Sequence, residues 1–249
     1  MPLDIQLRVA PPLDLAADVL VVGILQMGGK TPSLPPSLKS IDSALGGALS
    51  KLVAKDEFTG KRDQVLAIAT LGRIPADKVV LFGLGEKRTL GVAELRTFAA
   101  KAARLGNVEK AKSLALSLPA GLEGELRTVA EGLELGAYRF TKYFTGDRKP
   151  KAALATVVIG AGGKLKPNAK ALVALGQAVG AAVNLSRDLS NEPPNVMFPE
   201  AFAAAAQALA KTHALKIEVF DFKEIRRRGM KLIDAVGRGS RHEPRFVHM

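Results

Sequence analysis

Three glycine-rich segments, three histidines and a helically spaced pair of carboxylates are where this sequence could do chemistry. Gly83-Leu-Gly85 runs on into Glu86-Lys87-Arg88, so it lacks the third glycine of the dinucleotide-binding GxGxxG turn. Gly160-Ala-Gly162-Gly163-Lys164 lacks it too, with Leu165 in its place. That segment is not a phosphate-cradling P-loop either. Val158 holds the first glycine position, and Leu165 stands where a hydroxyl would meet magnesium. Gly237-Arg-Gly239-Ser240 fits neither template, and all three segments read as turns. His213, His242 and His248 form no HExxH or other close ligand pair. On a strand, His242 and His248 would stand roughly 20 Å apart, beyond any shared metal. Asp188 and Glu192 have helical spacing, which fits a helix-end surface better than paired acid–base work. No Gly-x-Ser-x-Gly elbow occurs. The absence of cysteine excludes thiol catalysis, disulfides and Cys-ligated zinc together, and it fits a reducing compartment. The residues alone therefore supply no catalytic, metal-binding or cofactor-binding set.

The elements around these positions alternate between apolar strands and longer helices. Strand-like text covers Leu3 to Val9, Asp18 to Leu25, Gln64 to Leu71, Lys78 to Gly85, Ser113 to Leu118 and Ala153 to Ile159. A Gly/Pro/Ser loop is expected from Gly28 to Pro36, and a turn at Pro75-Ala76-Asp77. Helices are expected from Ser40 to about Ala54, from Val92 to about Leu105, and from beyond Gly121 to near Tyr143. A further helix runs from Pro167 to Leu189, with Leu172, Leu175, Val179 and Val183 on its apolar face. Asn191-Glu-Pro-Pro-Asn195 ends it, because proline drives the preceding residue out of the helical region. Another helix starts at Pro199 with Phe202 and Leu209 on one face. A strand at Lys216 to Phe220, a short charged helix at Lys223 to Arg228 and a strand opening at Arg245 complete the pattern. The fold class is α/β with a mixed, largely parallel sheet.

Charge and hydropathy narrow the function class. With Lys and Arg outnumbering Asp and Glu by 36 to 24, the net charge of +12 attracts anionic partners without choosing among them. The sharpest basic cluster is Arg226-Arg227-Arg228, which lacks the interleaved aromatics of a base-stacking platform. The N-terminus has no basic-then-apolar signal pattern, and no apolar run reaches the ~18 residues of a membrane span. The expectation is a soluble cytoplasmic protein.

Ala182-Val-Asn-Leu-Ser-Arg-Asp-Leu-Ser-Asn-Glu-Pro-Pro-Asn195, followed by Pro199-Glu200, resembles the opening of the catalytic domain of leucyl aminopeptidases. These are the cytosol aminopeptidases, family M17 of the metallopeptidases. Phe58-Thr-Gly-Lys61, Lys78 to Gly85 and Glu131 to Phe140 resemble that family's N-terminal domain. Gly229-Met230, Ala235 to Ser240 and Pro244-Arg245 resemble the segment that leads towards its catalytic sheet. The resemblance implies a macro-domain-like N-terminal domain over residues 1–165 and a linker helix over 166–190. The opening of an α/β metallopeptidase domain, incomplete here, would follow over 191–249. It also implies a family that releases N-terminal amino acids from peptides, uses two divalent metals (zinc, manganese or magnesium) and assembles as a hexamer.

The family's two ligand segments, Gly-Lys-Gly-x-Thr-Phe-Asp-Ser-Gly-Gly and Asn-Thr-Asp-Ala-Glu-Gly-Arg-Leu, do not occur in this sequence. No metal or catalytic residue transfers, and the chain by itself is expected to be inactive. The Asn191–Asn195 junction is then a hinge, with Asn191 and Asn195 holding its turn, rather than a substrate contact. Two other readings stay open. One is a macro-like module that binds a nucleotide or ADP-ribose at Gly160 to Gly163. The other is a basic surface that binds DNA through Arg226 to Arg228.

Overall fold

The computed structural model describes residues 3–26, 34–119, 121–122, 124–161 and 163–249. The expected loop from Gly28 to Pro36 therefore lies largely outside the described residues. The chain divides into two compact units, Met1–Asn184 and Leu185–Met249.

The first unit contains β1 (Asp4–Val9), β2 (Ala17–Leu25), α1 (Lys39–Ala44), α2 (Ala48–Lys55), β3 (Val65–Ala69) and β4 (Ala76–Gly85). It continues with α3 (Val92–Val108), β5 (Ser113–Ser117), α4 (Leu126–Ala137), β6 (Thr156–Ala161) and α5 (Ala169–Asn191), whose last turns cross into the second unit. The described strands form a six-stranded sheet in the order β1-β6-β5-β2-β4-β3, parallel throughout except for β3 against β4. This is the mixed, largely parallel α/β sheet that the sequence pattern predicts.

Strand β2 shows why these residues choose the middle of such a sheet. Side chains alternate between faces, and both sets are apolar and buried. Val19 and Val21 join Val80, Phe82, Leu114, Leu116, Val157 and Ile159 under α3, α4 and the start of α5. Leu20, Val22 and Ile24 join Val79, Leu81 and Leu66 under α1 and α2. A strand covered on both sides needs no polar face. Asp18 pins its register: its carboxylate accepts from the amides of Lys112 (2.6 Å) and Ser113 (3.0 Å), while its own amide donates to Ser113 Oγ (2.9 Å). Burial pushes the Asp18 pKa up, but these hydrogen bonds outweigh it and leave the group below its ordinary value.

Glycines set the spacing of the helices on one face. A Cβ on Gly132 would lie 2.8 Å from Ala99 Cβ, and one on Gly136 would lie 2.5 Å from Ala100 Cα, so α4 meets α3 at backbone distance. On α5, a Cβ on Gly176 would lie 2.9 Å from Ala130 Cβ, and one on Gly180 would lie 2.5 Å from Glu134 Cβ. These approaches explain a difference from the sequence reading. The buried face of α5 is Ala169, Val173, Gly176 and Gly180, whereas Leu175 and Val183 are exposed. The helix turns its smallest residues inward because only they admit α4.

Other boundaries move for local reasons. The helix expected from Ser40 to Ala54 is two, α1 and α2, because Gly46 (φ 65) and Gly47 (φ 76) both take the left-handed conformation between them. The β3–β4 turn lies at residues 71–75, with Leu71 (φ 53) and Gly72 (φ 76) left-handed, and β4 already begins at Ala76. The long helix ends at Ala137, not near Tyr143. Tyr138 leaves it with ψ 132, and Asn107 Nδ2 takes the terminal Ala137 carbonyl at 3.2 Å. Finally, α5 is long and apolar enough to cross a membrane by length and composition, contrary to the run-length expectation. Within the first unit, its polar contacts tie it to its neighbours instead. Gln177 Nε2 donates to the Leu3 carbonyl (2.7 Å), and Asn184 Nδ2 donates to the Glu134 carbonyl (3.1 Å).

The second unit contains the end of α5, then α6 (Pro199–Thr212), β7 (Glu218–Phe220), α7 (Phe222–Arg227), α8 (Lys231–Gly237) and β8 (Phe246–His248). Strands β7 and β8 pair antiparallel, with Phe220 opposite Phe246 and their rings stacked at 5.5 Å. On α6 the buried residues are Ala203 and Ala210, while Phe202 is half exposed, so this helix too is rotated from the face expected on residue size. Asp221 caps α7 by accepting from the Glu224 amide at 2.8 Å. Helix α8 was not anticipated, and its Leu232 and Val236 are each 84% exposed.

Candidate functional site

The glycine segments owe their residues to packing. Gly83 lies within β4, where a Cβ would strike the backbone of Gly60 and Lys61, and Gly85 takes φ 77 at the strand end. Gly160 lies within β6, and a Cβ there would come within 2.5 Å of Leu15 Cδ1. Gly162 lies outside the described residues. Gly237 ends α8 against the Pro244 ring, whose Cγ would sit 2.6 Å from an added Cβ. Gly83 and Gly160 are thus close-approach positions inside strands rather than the turns expected.

The histidines and carboxylates are not brought together. His213 follows α6, His242 stacks on Phe198 at 4.4 Å, and His248 Nδ1 lies 3.7 Å from Glu218 across the β7–β8 pair. Asp188 is in the final turns of α5, and Glu192 follows its end. Among the described residues, no group of three His, Asp or Glu side chains could hold a metal ion. A dinuclear metal centre needs several anionic or imidazole donors converging on one point. The side chains described here do not fit one.

The junction is held by backbone. The amides of Val196 (2.8 Å) and Met197 (2.9 Å) both donate to the Pro193 carbonyl, and Pro199 takes the first turn of α6. Asn195 is exposed, and no side-chain bond from it holds the turn among the described residues, contrary to expectation.

The arginine cluster is satisfied internally. Arg226 pairs with Asp234 (3.0 Å) and lies over the Phe222 ring, 3.9 Å from its centroid. Arg227 and Arg228 both pair with Glu224, at 2.5 and 2.6 Å, and Arg228 lies 3.9 Å over Phe220. The hydrogen bonds from Arg227 and Arg228 pull the Glu224 pKa down to about 2. Aromatics do accompany this cluster, therefore, but they receive the arginines' own guanidinium faces.

Two concavities remain. One of about 250 Å³ in the first unit is lined by Arg62, Asp63, Phe82, Glu94, Thr97 and Phe98. Its charges are spoken for: Arg62 faces Glu94 at 3.6 Å, and Asp63 binds Lys101 at 2.7 Å. The other, about 510 Å³ in the second unit, is lined mainly by Pro199, Leu232, Ile233, Val236 and Pro244. It has the apolar walls of a binding site without the convergent polar groups that confer chemistry.

Sequence reasoning missed Glu134, which is buried in α4. Its Oε1 accepts from the Leu3 amide (3.1 Å) and from Gln177 Nε2 (3.2 Å), joining the N-terminal segment, α4 and α5. Burial pushes its carboxyl above the ordinary range. The signal was legible: Glu131 and Glu134 interrupt an otherwise apolar helix three residues apart, and Glu131 answers Arg96 at 2.8 Å.

Comparison with known proteins places these elements. Residues 20–146 match the N-terminal domain of the cytosol aminopeptidase family, and residues 184–249 match its catalytic domain. A probable cytosol aminopeptidase of Geobacter sp. (strain M21) is 34% identical over 239 residues, covering 95% of this chain and 48% of its own. A mutant of tomato leucine aminopeptidase has the same fold, with a TM-score of 0.85 at 22% identity over 98% of this chain and 50% of that one. The bottromycin maturation enzyme BotP in complex with Mn aligns with a TM-score of 0.69 at 31% identity, over 93% of this chain and 44% of its own. The chain spans about half the length of the curated relatives it matches. It belongs to the cytosol aminopeptidase family.

Proposed function

We propose that this chain forms the N-terminal domain and the first part of the catalytic domain of a metal-dependent aminopeptidase, and that alone it does not hydrolyse peptides. Residues 1–165 serve as a macro-like domain, 166–190 as a helix leading out of it, and 191–249 as the opening of the catalytic domain. The whole protein would act in the cytoplasm on the N-termini of peptides, with two divalent cations and as a homo-oligomer, a hexamer by family resemblance.

The observation that carries the second half of the proposal is the donor set. No cluster of carboxylates or imidazoles converges among the described residues, and neither family ligand segment occurs in the sequence. Without such donors there is nothing to lower the pKa of a water or polarise a scissile carbonyl by metal coordination. The test is hydrolysis of a leucine anilide by the purified 249-residue chain, with manganese added and with chelator. No metal-dependent rate is expected. A manganese-dependent rate that chelator abolishes would overturn the proposal.

A further inference from the structure

We infer that the free edge of β3 is a self-association surface, where a second copy of this chain adds its own β3 antiparallel across a two-fold axis. The inference rests on backbone geometry and is independent of the peptidase reading.

Strand β3 is an outer strand of the sheet, hydrogen-bonded on one side to β4. Thr70 donates to the Asp77 carbonyl, and Gln64 accepts from the Gly83 amide, so the even-numbered residues of this stretch face β4. In an antiparallel ladder the alternate residues point their N–H and C=O groups the other way. Those residues are Val65, Ala67 and Ala69, and among the described residues no backbone or side-chain group bonds to their outward edge. Their side chains are exposed as well, with Val65 at 52% and Leu71, at the turn beyond, at 84%.

The other outer strand manages the same exposure differently. On β1 the exposed residues are Asp4, Gln6 and Arg8, and charges on an edge discourage pairing. From Val65 to Leu71 the sequence is Val-Leu-Ala-Ile-Ala-Thr-Leu, with no charge, proline or glycine. Such a run is a template for another strand.

A second copy fits for two reasons. Antiparallel pairing centred on Ala67 sets Ala67 against Ala67 and Val65 against Ala69, so small side chains meet one another or a β-branched one. The charges beside the strand are also satisfied within each copy: Asp63 by Lys101, and Lys78 by Glu109. Approach of a second copy therefore brings no unpaired like charges together at the edge.

The substitution that tests this is Ala67→Lys, because the side chain is exposed and its backbone groups point away from β4. Sedimentation equilibrium of the full chain from 1 to 100 µM should show association in wild type and at least a tenfold weaker constant in A67K, with an unchanged thermal melt. A67P is the second variant, since proline removes only the outward N–H. In wild type, the amides of Val65, Ala67 and Ala69 should exchange more slowly at 100 µM than at 1 µM. Sedimentation that is the same for wild type and A67K, whether both are monomeric or both associated, overturns the proposal. So does exchange at those three amides that ignores concentration.

Discussion

Gly176 is where α5 comes closest to α4, and substituting it with alanine puts a number on that approach. The added Cβ would sit 2.9 Å from Ala130 Cβ and 3.0 Å from the Glu131 amide nitrogen, and closer still to the Arg127 carbonyl oxygen. Carbon atoms settle at about 3.5–4.0 Å, so the helix must withdraw by roughly 1 Å or distort. Overpacking of this kind costs about 1–3 kcal/mol, and the backbone of α4 cannot rotate aside as a side chain can. Alanine's better helix propensity returns up to about 1 kcal/mol. The expected net loss is about 2 kcal/mol. That corresponds to a fall in Tm of roughly 4–8 °C for a unit of this size and a urea midpoint lower by about 1 M. Far-UV circular dichroism is the suitable probe, because the chain has no tryptophan. Gly106 provides the control: an added Cβ there meets only methyl groups of Leu114 and Leu154 at 3.3–3.4 Å, which can yield. G106A should change stability by less than about 1 kcal/mol. A G176A chain as stable as wild type, or less perturbed than G106A, would refute the close-approach reasoning.

Two further outcomes follow from the site descriptions. The Glu134 carboxyl is raised by burial, so its contribution to stability is fully present below the ordinary glutamate value of about 4.3 and is lost as pH rises through the higher native value. E134Q keeps an acceptor for Leu3 and Gln177, so its urea midpoint should vary less with pH above about 4 than that of wild type; parallel profiles would remove the role given to burial. Amide exchange should be faster after Asn191 than in residues 3–161, because β7 and β8 pair only with each other among the described residues and α8 exposes Leu232 and Val236. Uniform protection along the chain would contradict this.

The sheet was legible because its signal is strong. Runs such as Asp18–Leu25 and Lys78–Gly85 are too apolar to face water on either side, and alternation with helices fixes the fold class. The helix faces were less legible, and the error has one physical cause. On α5 and α6 the largest apolar residues were taken as the buried set, yet the structure buries Gly176 and Gly180 in one and Ala203 and Ala210 in the other. Where helices touch at backbone distance, the inward position selects for small volume, and the hydrophobic pattern is offset by one residue. The split of the 40–54 helix was foreseeable from Gly46-Gly47, since paired glycines can both turn left-handed. The engaged state of Arg226 to Arg228 was only half visible. The sequence shows Glu224 at helical spacing, but not that Phe220 and Phe222 lie under the guanidinium groups. As for chemistry, the residues alone indicated no assembled catalytic group, and recognition came from ordered short matches spread along the chain.

The pairing of β1 has a consequence for how the polypeptide is made. Its only strand neighbour among the described residues is β6, and Leu3 just before it is gripped by Gln177, 174 positions later. At about 5–20 residues per second, a ribosome needs roughly ten to thirty seconds to supply that partner. Until then β2, β4 and β5 can assemble without it, while the first residues synthesised wait, extended and undocked, to be joined last. The nascent chain thus carries its earliest segment as its latest folding step, and any chaperone that guards this protein on the ribosome would find its target there.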